Sequence, residues 1–342
     1  MRIRPLRIAV DLMGGDFAPT NELLGALQAM VELKQRAVEI VLLGHRERLR
    51  EVAQKLAISI EHLPVLHTEE TIEMGDDPTE AIRLKRNSSL VRAMELHASG
   101  EVDAVVSTGN TGAILAAATL TLGKVHGVSR PTLGTLVPTE QQRPSVLLDV
   151  GANVGCKPQH LYEFAIMGSV YARELLSIER PRVALLNIGE EETKGTSTLR
   201  EAYRLLKASY LNFIGNIEGR DILRGTADVV VCDGFVGNIL LKFGESLAAA
   251  WRARLRALGQ RGLWRRLLLW LFRPTLRRLL REFDYQNYGG VPLLGVRGVV
   301  IVGHGRSTPL AIRNMIFRAH EAIQRALVQR LEAALQVSPV SA

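Results

Sequence analysis

The sequence predicts an α/β fold with a large, mostly parallel sheet covered by helices on both faces. Short apolar runs alternate with longer amphipathic segments in a β-then-α order, which favours right-handed crossovers and a doubly wound sheet. Several of the runs are continuously apolar, as expected when both faces of a parallel sheet are buried. At 342 residues the chain is long enough for about two domains, or for one large unit with an appendage. We predict one unit over residues 1–342, with a protruding helical hairpin inserted at residues 245–285.

Nine strands and eight helices follow from this pattern. The predicted strands are Leu6–Asp11, Glu39–Leu43, Val102–Ser107, Thr132–Val137, Val146–Val150, Arg182–Ile188, Asn212–Ile217, Val229–Cys232 and Val299–Val302. The predicted helices are Asn21–Arg36, Glu47–Leu56, Thr79–Ala98, Thr111–Leu122, His160–Leu176, Ser197–Lys207, Gly237–Leu258 and Leu310–Leu335. We predict a single unit because the sequence shows neither an internal repeat nor a flexible linker.

Composition excludes several classes of protein. Hydrophobic residues make up 47% and charged residues 23% of the chain, which is typical of a globular protein and argues against disorder. Two cysteines, Cys156 and Cys232, exclude a disulfide scaffold and suit a reducing cytosol. The sequence has neither a C-x-x-C pair nor an H-E-x-x-H helix, so we predict no metal site. The N-terminal apolar run is broken by Asp11 and does not read as a signal peptide, and no stretch has the length of a membrane span.

The positive charge is concentrated in one segment. The chain carries a net charge of +8, yet residues 252–281 hold ten arginines and no Asp, Glu or Lys, so the remainder sums to −2. This localisation argues against duplex nucleic-acid binding, which spreads positive charge along a docking face. An apolar face flanked by arginines instead predicts a helix at a membrane surface, with a helix pair in a dimer as the alternative. The predicted membrane contacts are Trp264, Leu267, Leu268, Trp270, Leu271 and Phe272.

Seven turns rich in glycine and small polar residues follow predicted strands. They span residues 11–16, 107–113, 149–157, 187–195, 216–221, 233–238 and 303–307. Ligands of doubly wound sheets bind at the carboxyl ends of the strands. We therefore predict that all seven turns meet at one edge of the sheet and form a cleft for an anionic ligand.

Two of these turns have the features of a phosphate site. The Ser107–Ala113 turn precedes an Ala-rich helix, and Gly305–Thr308 precedes the last helix, so each offers free backbone N–H groups at a helix N-terminus. An ordinary N-cap is the alternative for each. Neither a Walker A loop nor a G-x-G-x-x-G turn after the first strand occurs, so the usual nucleotide fingerprints are missing.

Further side chains in the turns are candidates for chemistry. Lys194 lies among three glutamates and suits the charge of a phosphate or an oxyanion, with a solvated charge cluster as the alternative. His304, between two glycines, is a candidate general acid or base, or else a polar loop residue. The predicted phosphate- and substrate-binding residues are Gly14, Gly15, Asp16, Gly109, Asn110, Thr111, Gly112, Asn153, Lys157, Asp233, Asn238 and Ser307.

Taken together, the turns resemble one family, the bacterial phosphate acyltransferases (PlsX) of phospholipid synthesis. The matching stretches are VDLMGGD, STGNTGA, LLDVGANV, LLNIGEEETKG, IGNIEGRDI, VVVCDGFVGNILLK and YGGVPLLGV…GHGRS. They keep their order from residue 10 to residue 307, so the resemblance covers nearly the whole chain. The chain departs from the family at Gly155, where an acidic residue usually follows DVGAN-x.

The resemblance implies a reaction in which inorganic phosphate attacks the thioester of acyl-acyl carrier protein, giving acyl-phosphate and the free carrier thiol. It implies a three-layer α/β/α sandwich like those of isopropylmalate dehydrogenases and phosphotransacetylases, without metal, nucleotide or other cofactor. It further implies a homodimer that is cytoplasmic and peripherally associated with the inner face of the membrane. A membrane acyltransferase would then consume the product.

Three other functions are open from the residues alone. A phosphotransacetylase-like enzyme would use acyl-coenzyme A in place of the carrier protein. A decarboxylating dehydrogenase of similar fold would need a dinucleotide and clustered aspartates, whereas the aspartates here are scattered through separate turns. A non-enzymatic protein that binds membrane or nucleic acid would rest on residues 252–281 alone and leave the seven turns unexplained.

Overall fold

A computed structural model of the chain describes residues 4–61, 63–141, 143–260 and 289–336, together with positions 262, 264, 267 and 270–272. The strands are β1 Leu6–Asp11, β2 Val38–Gly44, β3 Val65–His67, β4 Ala104–Ser107, β5 Thr132–Val137, β6 Ser145–Leu148, β7 Val183–Leu186, β8 Phe213–Ile217, β9 Val229–Val231, β10 Val291–Leu294 and β11 Val299–Val302. The α-helices are α1 Thr20–Leu33, α2 Arg46–Lys55, α3 Pro78–Leu84, α4 Ser89–Ala98, α5 Thr111–Thr121, α6 Pro158–Leu176, α7 Ser197–Lys207, α8 Gly219–Arg224, α9 Gly234–Gln260, α10 Pro309–Gln324 and α11 Leu327–Gln336.

All eleven strands belong to one sheet, in the order β3-β2-β1-β4-β11-β10-β5-β6-β9-β7-β8. Strands β3, β2, β1, β4 and β11 are parallel to one another. Strand β10 is antiparallel to both of its neighbours, and β5 is antiparallel to β6. Strands β6, β9, β7 and β8 are again mutually parallel, but they run in the direction opposite to β1.

Helices cover both faces of this sheet, so the predicted α/β/α sandwich is confirmed. Successive strand residues contribute to opposite faces: Ile8 and Val10 lie in one core, and Ala9 lies in the other. Residues of α1, α6, α10 and α11 fill the first core, and residues of α3, α4 and α5 fill the second. The fully apolar strands follow from this double coverage.

The structure adds short elements and divides two predicted helices. Strands β3 and β10 and helix α8 lie where no element was predicted. The predicted helix over 79–98 is two helices, because Asp77 caps α3 and the Ser88 hydroxyl caps α4. The predicted helix over 310–335 is also two, separated at Ala326, whose φ is 49°.

Helix α9 is one continuous helix of 27 residues that carries an exposed apolar stripe. Phe235, Ile239, Phe243 and Trp251 recur at helical spacing along it, and each exposes at least half of its side chain. Of the predicted membrane contacts, those at described positions are also exposed: Trp264, Leu267, Trp270, Leu271 and Phe272. Leu268 and half of the arginine-rich segment 252–281 lie outside the described residues. Within the described residues, no helix combines the length and hydropathy needed to cross a bilayer.

Candidate functional site

Three of the seven glycine-rich turns come together at what we call the first edge, the carboxyl ends of β1, β4 and β11. A Cβ at Gly14 would lie 2.7 Å from the backbone N of Gly109, so the β1 and β4 turns touch backbone to backbone. The N–H of Asp16 donates to the carbonyl of Gly305 at 2.7 Å. The N–H of Gly303 donates to the carbonyl of Ser107 at 2.8 Å, which joins the β11 turn to the β4 turn.

Asp11, the last residue of β1, organises this edge. Its fully buried carboxylate accepts hydrogen bonds from the hydroxyls of Ser89 (2.6 Å) and Ser107 (2.7 Å) and from the N–H of Met13 (3.0 Å). The Ser107 oxygen in turn accepts from the N–H of Gly109 at 3.1 Å. The carboxylate therefore fixes the start of the β4 turn, a structural role that the sequence analysis did not assign to it. Its place as the polar residue that ends the apolar run after Arg7 was the available signal.

The β4 turn leads into the N-terminus of α5. The Asn110 side chain caps this helix by accepting from the N–H of Ala113 at 3.1 Å, and its amide donates to the carbonyls of Met74 and Asp76. The first N–H groups of a helix have no intrahelical acceptor, which leaves those of Thr111 and Gly112 available to a ligand. The helix dipole adds positive potential at the same place. The alternative that we predicted, an ordinary N-cap, is therefore present. It uses the N–H of Ala113 and leaves the N–H groups of Thr111 and Gly112.

The β11 turn contributes Ser307 and His304. Ser307 is buried, and its backbone carbonyl accepts from the Asn21 amide of α1 at 3.0 Å. His304 is exposed, and its Nδ1 accepts from the N–H of Arg306 at 3.1 Å. With Nδ1 acting as acceptor, the neutral ring carries its proton on Nε2. Of the residues predicted to bind phosphate or substrate, those at this edge are Gly14, Gly15, Asp16, Gly109, Asn110, Thr111, Gly112 and Ser307, and the predicted catalytic residue His304 lies there as well.

Glu22, near the start of α1, is a buried carboxyl group that the sequence analysis missed. It is 1% exposed, and its Oε1 accepts from the Thr108 hydroxyl at 2.9 Å. Its Oε2 is buried without a hydrogen-bond partner among the described residues. Burial, with smaller contributions from the charges of Asp11 and Asp16, raises the pKa of Glu22 to about 7. Because a glutamate in an amphipathic helix normally faces solvent, the sequence carried no signal for this burial.

The four remaining turns lie at the second edge, formed by the carboxyl ends of β6, β7, β8 and β9. The buried Asp149 carboxylate there accepts from the N–H groups of Leu133, Gly151, Ala152 and Asn153 and from the Asn153 amide. A Cβ at Gly237 would lie 1.8 Å from the Asp149 carbonyl oxygen, so α9 starts in close contact with this turn. These bonds make Asn153 a structural partner of Asp149.

Other predicted residues at the second edge have mixed roles. Asp233 caps α9 by accepting from the N–H of Val236 at 2.9 Å. Lys157, at the N-terminus of α6, is exposed. Asn238 lies against the β6 turn, because a Cβ added to Gly151 would be 3.3 Å from its amide nitrogen. Gly155, where the resemblance led us to expect an acidic residue, has a φ of +76°, a conformation that favours glycine.

Lys194 protrudes from the β7 turn into solvent. Its own backbone is held by neighbours, since its carbonyl accepts from the Asn187 amide at 3.2 Å. Of the nearby glutamates, Glu192 pairs with Lys207 at 3.0 Å and Glu190 lies 4.0 Å from Arg220. Within the described part of the chain, the Lys194 ammonium group forms no ion pair. An open depression of about 450 Å³ lies beside this turn, lined by Pro158, Ser197, Thr198, Arg200, Glu201 and Arg204.

The prediction that all seven turns meet at one edge is therefore wrong. The antiparallel pairing of β5 with β6 reverses the chain direction, so the second group of parallel strands ends at the other edge. Six strand spacings, or about 29 Å, separate β4 from β7 across the sheet. Lys194 and the Gly109–Gly112 turn consequently do not contact the same phosphate within one chain. The sequence does contain a signal for this reversal that we missed. Only seven residues connect β5 and β6, whereas a crossover between parallel strands needs a dozen or more residues.

Both cysteines are free thiols, and neither is exposed. Cys232 is buried, and its thiol donates weakly to the Asp149 carbonyl at 3.6 Å. Burial raises the pKa of Cys156 to about 12, which disfavours the nucleophilic thiolate. No group of three or more His, Cys, Asp or Glu side chains suited to a metal ion occurs in the part of the chain that the structure describes.

Comparison with known proteins identifies the family. The profile of a family described as "Fatty acid synthesis protein" matches residues 6–330. The chain is 46% identical over 326 residues to the phosphate acyltransferase of Moorella thermoacetica, covering 95% of each chain. It is 44% identical over 320 residues to that of Dictyoglomus turgidum, covering 93% of this chain and 94% of the relative.

Solved structures support the fold. EutD phosphotransacetylase from Staphylococcus aureus superposes with a TM-score of 0.60 at 17% identity, covering 93% of this chain and 94% of the other. A branched-chain phosphotransacylase from Enterococcus faecalis gives 0.57 at 14% identity, covering 93% and 99%. The extent of the sequence match shows that this chain belongs to the phosphate acyltransferase family and is an acyltransferase.

Proposed function

We propose that this enzyme transfers a fatty acyl group from acyl-acyl carrier protein to inorganic phosphate and releases acyl-phosphate. The observation that carries the proposal is the three-turn cluster at the first edge, in a chain of the phosphate acyltransferase family. There the N–H groups of Thr111 and Gly112 and the N-terminus of α5 form an anion-binding surface. The buried Ser107 and Asp11 side chains hold that surface in place.

The chemistry needs positioning more than covalent help from the protein. A phosphate oxygen attacks the thioester carbonyl carbon, a C–O bond forms, and the C–S bond breaks. The electron pair of that bond leaves on sulfur, and protonation of the thiolate gives the free thiol of the carrier. Backbone donors that hold phosphate beside the carbonyl supply effective concentration, and donors at the developing oxyanion lower the barrier. The proton that completes the thiol comes from the attacking hydrogen phosphate, which loses it when acyl-phosphate forms. His304, whose neutral ring carries its proton on Nε2, is our candidate for the hydrogen bond that stabilises the leaving sulfur during this transfer.

We assign the docking of the carrier protein itself to the second edge, while the thioester that it carries must reach the phosphate at the first edge. Lys194 is an exposed cation whose neighbouring glutamates Glu190 and Glu192 lie near other basic residues. Lys157, in the β6 turn two strands away, adds a second exposed positive charge. Acyl carrier proteins are generally acidic, so these lysines favour such a donor by charge complementarity. The arginine-rich segment at 252–281 would add to the same attraction.

The exposed apolar positions support attachment to a membrane surface. Trp264, Leu267 and Trp270 each expose more than half of their side chains beside a segment rich in arginine. Such a face suits reversible binding to anionic lipid without a span. We propose a homodimer that is cytoplasmic, binds the inner membrane face peripherally, and passes its product to a membrane acyltransferase.

Acyl-phosphate formation from purified acyl-acyl carrier protein tests the function directly. We expect product only when inorganic phosphate is present, in amounts equal to the free thiol released. Acyl-coenzyme A of the same chain length is the comparison, because a phosphotransacetylase-like enzyme would use it preferentially. A higher kcat/KM with acyl-coenzyme A, or thiol release that is independent of phosphate, would contradict the proposal.

A further inference from the structure

We propose that Glu22 is a positioning residue of the first edge, which holds the β4 turn through Thr108 and whose charge state controls how tightly an oxyanion binds there. This inference rests on the proposed function for the location of phosphate. It goes beyond that function by naming a residue outside the glycine-rich turns. It also gives the site a dependence on pH that comes from the protein and not from the substrate.

The first step is the contact between Glu22 and two of the three turns. A Cβ at Gly15 would lie 2.1 Å from Glu22 Oε1 and 2.9 Å from the Thr108 hydroxyl, so only glycine leaves room for this carboxyl group. The Thr108 hydroxyl donates to Oε1 at 2.9 Å. Thr108 is the second residue of the Ser107–Ala113 turn and immediately precedes Gly109. Glu22 therefore links helix α1 to the turns that carry the backbone donors.

The second step is the missing partner of the other carboxyl oxygen. Oε2 is buried and has no hydrogen-bond partner among the described residues. A buried ionised carboxylate with one unpartnered oxygen is costly, whereas a protonated carboxyl group is much less so. Burial accordingly raises the pKa of Glu22 to about 7, although its own backbone N–H and the Thr108 hydroxyl both favour the ionised form. Both forms are populated near neutral pH.

The third step is the charge around Glu22. From β1 and its turn, the carboxylates of Asp11 and Asp16 face it, and both disfavour its ionisation. The β4 turn presents only the uncharged Thr108 hydroxyl. From the β11 turn, Arg306 lies 4.0 Å from Asp16 and partly offsets that charge, and His304 is the other titratable side chain.

The helix packed against α1 adds no free cation near Glu22. Helix α10 contributes Arg313, which forms an ion pair with Glu32, ten residues further along α1. Among the residues that the structure describes, Glu22 has no ion-pair partner, so on ionisation it places an uncompensated negative charge next to the anion-binding turns. The expected consequence is weaker binding of a dianion as the pH rises through about 7.

Sulfate binding as a function of pH tests the inference. Sulfate stays dianionic throughout, whereas phosphate itself titrates near neutral pH, so a change in sulfate affinity reports protein groups alone. By calorimetry on the full-length protein, we expect the Kd of the wild type to rise about tenfold between pH 6 and pH 8.5. Glu22→Gln, which keeps an oxygen for Thr108, should change less than twofold over the same range. Glu32→Gln on the same helix is the matched control and should follow the wild type.

A second variant keeps the test decisive if Glu22→Gln folds poorly. Glu22→Met also removes the charge and should show the same flat pH profile, with a lower kcat because the Thr108 hydrogen bond is lost. An unchanged pH dependence in the folded variants would assign the titration to another group, such as His304, and overturn the inference. Absence of sulfate binding to the wild type would overturn it as well. Failure of the proposed function is distinguishable, because it appears as absent acyl-phosphate formation while the sulfate profile is unaffected.

Discussion

The backbones of Gly14 and Gly109 touch, although 95 residues separate them in the sequence. A Cβ at residue 14 would lie 2.7 Å from both the N and the Cα of Gly109 and 2.8 Å from a carboxylate oxygen of Asp11. Real Cβ atoms are not found this close to backbone atoms, so any other residue at position 14 must move one of the two turns. The phosphate site that we propose therefore depends on a contact between two turns that only glycine permits.

Gly14→Ala should separate the β1 and β4 turns. We expect a loss of about 1–3 kcal/mol in the free energy of unfolding, as for other insertions into packed regions. The kcat/KM for phosphate should fall at least tenfold, mainly because the KM for phosphate rises. Urea denaturation and steady-state kinetics measure these effects. Gly219→Ala is the matched control, because a Cβ there meets nothing within 4 Å, and it should change stability by less than about 0.5 kcal/mol.

The burial of Glu22 should make stability depend on pH. Its pKa is raised from 4.5 to about 7 in the folded protein, so the folded state holds the proton more tightly than the unfolded state. The resulting stability is fully present below about pH 4.5 and is lost as the pH rises to about 7. Relative to Glu22→Gln, the wild type should lose up to about 3 kcal/mol between pH 5 and pH 8. If the free energies of unfolding of the two proteins, measured by urea denaturation, change equally with pH, the prediction is contradicted. The exposed Glu140→Gln is the control.

Lys194→Ala distinguishes two roles for this lysine. The sequence pattern predicts a phosphate or oxyanion contact, whereas its place at the second edge favours the acyl donor. We expect the KM for acyl-acyl carrier protein to rise about tenfold, equivalent to about 1.4 kcal/mol, with the KM for phosphate within twofold of the wild type. Lys207→Ala, which removes the partner of Glu192 in the same region, should behave like the wild type. A loss of kcat with both KM values unchanged would support the catalytic role instead.

Leu267→Glu/Leu271→Glu should weaken binding to anionic vesicles. Both leucines are exposed, and carboxylates there would remove apolar burial and repel anionic headgroups. Co-sedimentation with phosphatidylglycerol vesicles should fall severalfold, and wild-type binding should weaken with added salt. Leu223→Glu, at an exposed position of α8, is the control. Equal binding by the double variant would contradict the membrane role, and loss of the dimer in sedimentation equilibrium would favour a packing role for this segment.

The sequence predicted the individual strands well because burial on both faces produces long apolar runs. All nine predicted strands are present, and Val102–Ser107 differs from β4 only at its first residues. Strands β3 and β10 escaped prediction because they have three and four residues, and β10 contains Pro292. Such short runs do not show periodicity.

The site was predicted in part. Residues of the β1, β4 and β11 turns were correctly expected to lie together, because their strands are parallel neighbours in the sheet. Lys194 was wrongly grouped with them, because local patterns do not report the direction of a strand. Glu22 was missed because its burial arises from the glycines of another segment, and only the folded chain brings these together.

The order of the strands along the chain also determines when, during synthesis, the three turns of the first edge can come together. Strand β11 pairs with β4, and Val302 aligns with Ser107 although roughly two hundred residues lie between them. The whole second half of the sheet is thus translated between two strands that must become neighbours. Chains emerge from the ribosome N-terminus first, so β1 and β4 are made long before β11. The edge of β4 that pairs with β11 therefore stays unpaired until β11 leaves the exit tunnel. Nascent chains that stop before that strand expose the flank of β4 and lack the Ser307 turn, which makes them substrates for chaperones and proteases instead of partly active enzymes.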